Sequence, residues 1–261
     1  MKKEVQILLS AFSFYTRFPV YKWVEHDREH LHLSTKYLPV VGWVVGGLSA
    51  TIFVLTNFIL SDFVAIVFSL ITSVLITGAF HEDGLADTCD GFGGGWTQEK
   101  ILHIMKDSRV GAYGVISLIL MFTLKVSVLL EAYAQISGLQ ILLFTISGHT
   151  VSRFTASTFL FTHSYARVKG DSKVRLVTKK SGASILLLAS VFTLIPLLGL
   201  SYFSNNYFLV LSLIPVFGIK YFLGKYFNKW IGGYTGDCLG ATQQITELAF
   251  YISVIMIWKF I

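Results

Sequence analysis

The sequence predicts an all-α, polytopic membrane helix bundle of about six or seven transmembrane helices, plus a short interfacial or re-entrant N-terminal helix. Three observations carry this. Of the 261 residues, 54% are hydrophobic and only 14% charged, against roughly a quarter charged in an average soluble domain. The mean hydropathy of +0.65 is too high for a soluble globular domain. Apolar runs recur at lengths close to the roughly 20 residues a helix needs to cross a bilayer. This composition excludes a disordered chain, a collagen-like chain and a disulfide scaffold.

Residues 5–15 are apolar but short for a span, which suits an interfacial or re-entrant helix. The longer runs cover approximately 38–60, 63–80, 112–133, 139–161, 183–203, 207–223 and 245–261. They are too long and too evenly apolar for barrel strands, and open strand edges do not sit in lipid. Charge alternates between the connections. The segment before the first long run holds Lys2, Lys3, Arg17, Lys22, Arg28 and Lys36. Loop 81–111 holds Lys100, Lys106 and Arg109; loop 162–182 holds Arg167, Lys169, Lys173, Arg175, Lys179 and Lys180; loop 224–244 holds Lys225 and Lys229. Turns 61–62, 134–138 and 204–206 contain neither Lys nor Arg. The positive-inside rule places the N-terminus and the three basic loops in the cytoplasm. The net charge of +6 then reads as attraction to anionic membrane lipid, and no nucleic-acid partner is expected. Cys89 and Cys238 carry no metal-type spacing and no disulfide framework. No small-residue cleavage site follows Lys2 and Lys3, so no cleavable signal is expected.

Acids are scarce, so their placement is informative. The stretch His81 to Gly91 contains Glu82, Asp83, Asp87 and Asp90, four of the chain's 15 acids. Asp83, Asp87 and Asp90 stand at i, i+4 and i+7, within roughly 60° of one helical face. Like charges so placed repel unless a cation lies between them. Mg²⁺ suits the position, because it takes carboxylate oxygens and leaves sites open for phosphate oxygens. A solvated acidic loop is the plainer alternative. Gly91, Gly93, Gly94 and Gly95 follow, and serve either close backbone approach to a ligand or a hinge. They match neither the P-loop nor the dinucleotide fingerprint. A short helix is expected next, with Thr97 as N-cap and Glu99 in its first turn. Beyond it, Asp107 is placed to complete a metal site, and Lys106 and Arg109 to hold phosphate oxygens. A membrane-interface charge cluster would look the same.

Other polar residues fall inside the apolar runs. Gln243 and Glu247 share a helical face at the entry to the last span, and a Glu there needs a partner. Thr235 and Asp237, in a Gly-rich turn, suit a sugar or a base edge, or else an interhelical hydrogen-bonding set. His149 and Arg153 are four apart, and Arg153 lies deep enough to face the bundle interior, toward phosphate or Glu247. Lys125 is expected to pair with Glu131 or to snorkel. Arg17 follows an aromatic cluster and either reaches the site or anchors the interface. His26, His30 and His32 read as a polar surface linker.

His81 to Gly91 matches, without a mismatch, the signature His-x-Asp-Gly-Leu-Ala-Asp-Thr-x-Asp-Gly of the cobalamin synthase family, the adenosylcobinamide-GDP ribazoletransferases. The resemblance runs over nearly the whole chain. Phe14 to Pro19 resembles the family's aromatic-Thr-Arg-x-Pro motif, and Met105 to Gly111 its Met-Lys/Arg-Asp-Ser-Arg-x-Gly segment. Gly232 to Ala241 resembles its C-terminal Gly-Gly-x-Thr-Gly-Asp-x-Leu-Gly-Ala block. The run of glycines after Phe92 departs from it. The resemblance implies a single integral-membrane catalytic domain over residues 1–261, in the inner (plasma) membrane with its active site on the cytoplasmic side, that depends on Mg²⁺. It implies transfer from adenosylcobinamide-GDP to α-ribazole or α-ribazole 5′-phosphate, giving adenosylcobalamin or its 5′-phosphate and GMP. Asp83, Asp87, Asp90 and Asp107 are the expected metal ligands, and Asp90 or His81 the general base. Lys106, Ser108, Arg109, Arg17, Arg153, Thr235, Asp237, Gln243 and Glu247 are the expected substrate contacts. An oligomer is left open. A secondary transporter, or another Mg²⁺-dependent membrane phosphotransferase or prenyltransferase, is the alternative. Transporter acids, however, usually lie mid-span in paired halves, and no inverted repeat is visible here.

Overall fold

The computed structural model describes residues 3–24, 28–166 and 182–261. His26 and most of the basic loop 162–182 lie outside the described residues. The α-helices run in order: α1 Lys3–Tyr15, α2 Arg28–Leu33, α3 Leu38–Asn57, α4 Asp62–Thr77, α5 Phe80–Gly94, α6 Gln98–Ile104, α7 Ala112–Tyr133, α8 Leu139–Ser157, α9 Phe159–Thr162, α10 Ala183–Phe203, α11 Leu213–Ile231 and α12 Gly236–Phe260. Short 3₁₀ turns join several of them. Among the described residues, the extended pairing is a single bridge between Tyr165 and Tyr234. That bridge ties the chain after α9 to the turn before α12.

Among the described residues, four helical segments are long and apolar enough to cross a membrane: Glu29–Asn57, Ala112–Tyr133, Ala183–Phe203 and Tyr207–Ile231. α4 and α5 form a fifth only as a broken span, bent by 89°. The break is at Gly78, whose φ of 66° is left-handed and closes α4 by its N–H to the Val74 carbonyl. These criteria give four or five spans among the described residues and do not confirm the expected six or seven. The runs at 139–161 and 245–261 do form long helices, α8 and α12, but both carry many buried polar side chains and are walled in by their neighbours. A helix of that composition lines an interior and leaves lipid contact to others. α7 and α10 turn large apolar side chains outward, among them Ile119, Leu120, Leu187 and Leu198.

Two expected loops are largely helical. The 81–111 segment holds α5 and α6, and the 224–244 segment is consumed by α11 and α12 except for residues 232–235. Similarly, the expected polar linker around His30 is helix α2, and His30 is buried.

Close helix crossings position the site. Gly42 and Gly46 of α3 lie against the α8 backbone, where a Cβ would come within 2.8 Å of the His149 carbonyl oxygen and of Ile146 Cα respectively. Gly84 of α5 crosses Gly240 of α12 in the same way, so the acidic helix is seated directly on α12. The core beneath is built on Phe144, Leu197, Leu200, Phe250 and Tyr251.

Candidate active site

α5 is buried on most sides by α12, α7 and α6 and keeps only a narrow outward stripe. Asp83 on that stripe is exposed, and Asp87, one turn later, is half-buried. Asp90, the third carboxylate of the i, i+4, i+7 set, is on the same face but buried beneath the start of α7. It accepts hydrogen bonds from the backbone N–H of Gly111 at 2.6 Å and of Gly114 at 2.8 Å. These are groups at the start of α7, so Asp90 caps that helix from a distance in sequence and complements its positive end. Both glycines lack the Cβ that would collide with the Asp90 carboxylate. Asp90→Asn keeps one acceptor but loses the charge. It should lower stability by about 1 kcal/mol, seen as a lower thermal midpoint in detergent; an unchanged midpoint would contradict the capping role.

α6 begins where expected, with the Thr97 hydroxyl accepting from Lys100 N–H. It leads to Asp107, which pairs with Arg109. The carboxylate receives Arg109 Nη2 at 2.6 Å and Nε at 3.0 Å, and the Arg109 backbone N–H at 3.1 Å. These bonds hold the Asp107 carboxyl down to about 2, so it is ionised at neutral pH. Lys106, Ser108 and the Arg109 side chain are exposed around it. Among the described residues, no three His, Cys, Asp or Glu side chains close around one point. The four aspartates are therefore not gathered into a cage. Asp83 and Asp87 remain side by side on one face, Asp107 is held by Arg109, and Asp90 is a cap. That donor set fits Mg²⁺, which keeps several waters and is bound through one or two carboxylates together with substrate phosphates.

Below α5 lies a buried polar network that joins four helices, α5, α7, α8 and α12. Lys125 of α7 donates to Glu247 Oε1 at 2.9 Å and to Gln244 Oε1 at 2.8 Å. Gln244 donates to Glu82 Oε1 of α5 at 3.0 Å. Gln243 donates to Glu247 Oε2 at 2.6 Å and to Ser152 Oγ at 3.0 Å. His149 Nδ1 stands 3.4 Å from Glu247 Oε2. Lys125 thus pairs neither with Glu131, which is exposed, nor with solvent. The sequence reading gave Lys125, Glu82 and Gln244 no part in the site. The available signal was simple: a Lys and a Glu inside apolar runs of one bundle have each other as the cheapest partners.

The remaining expected contacts separate. Thr235 accepts from Cys238 N–H as the N-cap of α12 and meets Asp237 Oδ2 at 3.2 Å, so its hydroxyl serves the turn. Gln243 and Glu247 belong to the interior network. Arg17 is exposed, with its guanidinium over Gly78 at the α4–α5 break, close in sequence to His81. Arg153 and His81 are buried and line a small cavity between α1, α5, α8 and α12.

A sequence model of a family described as Cobalamin-5-phosphate synthase matches residues 7–255. A curated adenosylcobinamide-GDP ribazoletransferase of Shewanella oneidensis is 40% identical over 261 residues, covering 98% of this chain and 95% of its own length. Another with the same name, from Shewanella piezotolerans, is 42% identical over 256 residues, covering 98% of this chain and 97% of its own. No solved structure matches the chain.

Proposed function

The chain belongs to the cobalamin-5-phosphate synthase family, and from that premise we propose that the outward stripe of α5 and the mouth of α7 carry out the family's transfer. The protein is a transferase of cobalamin nucleotide-loop assembly. Its donor is adenosylcobinamide-GDP and its acceptor α-ribazole or α-ribazole 5′-phosphate. The observation that carries this reading is the Asp83 and Asp87 pair, one turn apart on the outward stripe of α5, within an unbroken family signature beside a basic segment.

In the reaction, a ribose hydroxyl attacks the phosphorus bonded to the cobinamide aminopropanol. A new P–O bond forms, the pyrophosphate P–O bond breaks, and GMP leaves. Such transfers ask the protein mainly for positioning and charge stabilisation. Bound to Asp83 and Asp87, with Asp107 in reserve, Mg²⁺ would neutralise the diphosphate charge. Lys106, Ser108 and Arg109 orient the non-bridging oxygens. Both Asp90 oxygens already accept N–H bonds, and His81 is buried on the side of α5 away from Asp83, so neither is assigned the hydroxyl proton. Asp90 acts as a positioning residue that fixes α5 against α7.

Arg109→Lys distinguishes a clamp from an anchor. A planar fork holds two oxygens, whereas Lys offers a point charge. The clamp expects Arg109→Lys to lose most GMP release at equal membrane abundance; near-normal release would leave Arg109 a helix-end anchor. We also propose an inner-membrane location with this face cytoplasmic. A cysteine at position 172, in Ser172→Cys, should then resist an impermeant thiol reagent applied from the periplasm. Labelling from that side would reverse the orientation.

A further inference from the structure

Arg153 is 2% exposed, yet no carboxylate stands at ion-pairing distance from it among the described residues. Glu247, the natural candidate, is already engaged by Lys125, Gln243 and His149. Arg153 Nη1 donates to the His149 carbonyl at 2.9 Å and meets His149 Nδ1 at 3.1 Å, which fixes the fork. Arg153 Nε is buried and has no partner. A guanidinium buried in a membrane bundle is costly unless an anion or a set of acceptors meets it.

The side chain lines a cavity of about 40 Å³. That space is far below what a nucleotide needs and is on the scale of an oxyanion with a water or two. Gln243, His81 and Ser157 contribute its other polar side chains, and Phe80 and Tyr15 part of its apolar wall. Gly236, the first residue of the 25-residue helix α12, also lines it. The positive end of a long helix adds to the attraction for an anion.

We propose that this cavity is a phosphate-oxyanion subsite, with Arg153 as its cationic floor. It is separate from the Asp83 and Asp87 stripe, because His81 and Asp83 project from nearly opposite sides of α5 by helical geometry. Its occupant is a phosphate group brought either by a nucleotide substrate or by an anionic phospholipid headgroup. The nucleotide source rests on the transferase reading above; the subsite itself does not.

The test is the thermal midpoint of the purified full-length protein titrated with inorganic phosphate in excess EDTA, so that no metal bridges phosphate to the aspartates. Wild type should show a saturable upward shift. Arg153→Gln should weaken apparent phosphate affinity at least about thirtyfold, the cost of truncating one side of a buried charged pair. Ala156→Leu adds bulk to the cavity wall while keeping the guanidinium and its charge, and should abolish the shift as well. It decides the question alone if Arg153→Gln does not insert. No saturable shift in wild type, or one that survives both substitutions, overturns the proposal. In nanodiscs, loss of the phosphate shift in phosphatidylglycerol but not in phosphatidylcholine identifies the headgroup as occupant. Retention in both identifies the nucleotide phosphate. If the same preparation releases no GMP from adenosylcobinamide-GDP and acceptor, the transferase reading fails while the subsite stands.

Discussion

Asp87→Asn should lower GMP release by at least about 10²-fold, the scale of losing one dedicated electrostatic stabiliser. The substitution is nearly isosteric and removes one negative charge from a half-buried position on α5. Asp83 and Asp87 are one turn apart on the outward stripe, so both are placed to contribute oxygens to a hard cation. If the loss is one of metal affinity, raising Mg²⁺ should recover part of the rate. Asp90→Asn gives the contrast, because Asp90 caps α7 and its loss should show first in stability. Rates for Asp87→Asn close to wild type, at equal membrane abundance, would remove Asp87 from the chemistry.

Lys125→Met should destabilise the folded protein by about 3–5 kcal/mol, the usual cost of removing one partner of a buried ion pair. Glu247, 1% exposed, would keep its charge with neutral or weakly placed partners, Gln243, His149 and Tyr251, beside it. The Gln244 carbonyl oxygen would lose its donor, and Gln244 is what holds Glu82 on α5. Adding Glu247→Gln to Lys125→Met should recover most of the loss, since the stranded charge is then gone. The midpoint of thermal unfolding in detergent reads both. A single variant as stable as wild type, or a double variant no better than the single, would contradict this account of the network.

Much of the fold was legible because apolar length and end signals act locally. The run at 112–133 is α7 and the run at 183–203 is α10, residue for residue. Thr97 caps α6 as its side chain and position require. The segment after residue 223 misled because Lys225 and Lys229 look like a loop. In the structure they lie over the rings of Tyr221 at 4.5 Å and Trp230 at 5.5 Å, and α11 runs on. Amphipathic cations placed on aromatic faces suit a helix end near the polar surface of a membrane.

The site was legible in its residue types and less so in their directions. Carboxylates at i, i+4 and i+7 read alike whether they face a cation or the start of another helix. What separates Asp90 from Asp83 and Asp87 is the pair Gly111 and Gly114, which opens the start of α7 to its carboxylate. The partners of Lys125 lie 119 and 122 residues away, beyond the reach of any periodicity. The reaction itself came from the ordered motifs and the relatives, because geometry alone offers an acidic stripe, a basic segment and a buried network.

The most direct test is to incubate the purified protein with adenosylcobinamide-GDP, α-ribazole and Mg²⁺ and to resolve corrinoids and GMP by chromatography. The account predicts a new corrinoid and GMP in equal amounts, both lost in excess EDTA and restored by Mg²⁺. No GMP from an inserted, folded protein would contradict the transfer, and full turnover in excess EDTA would contradict the role given to Asp83 and Asp87.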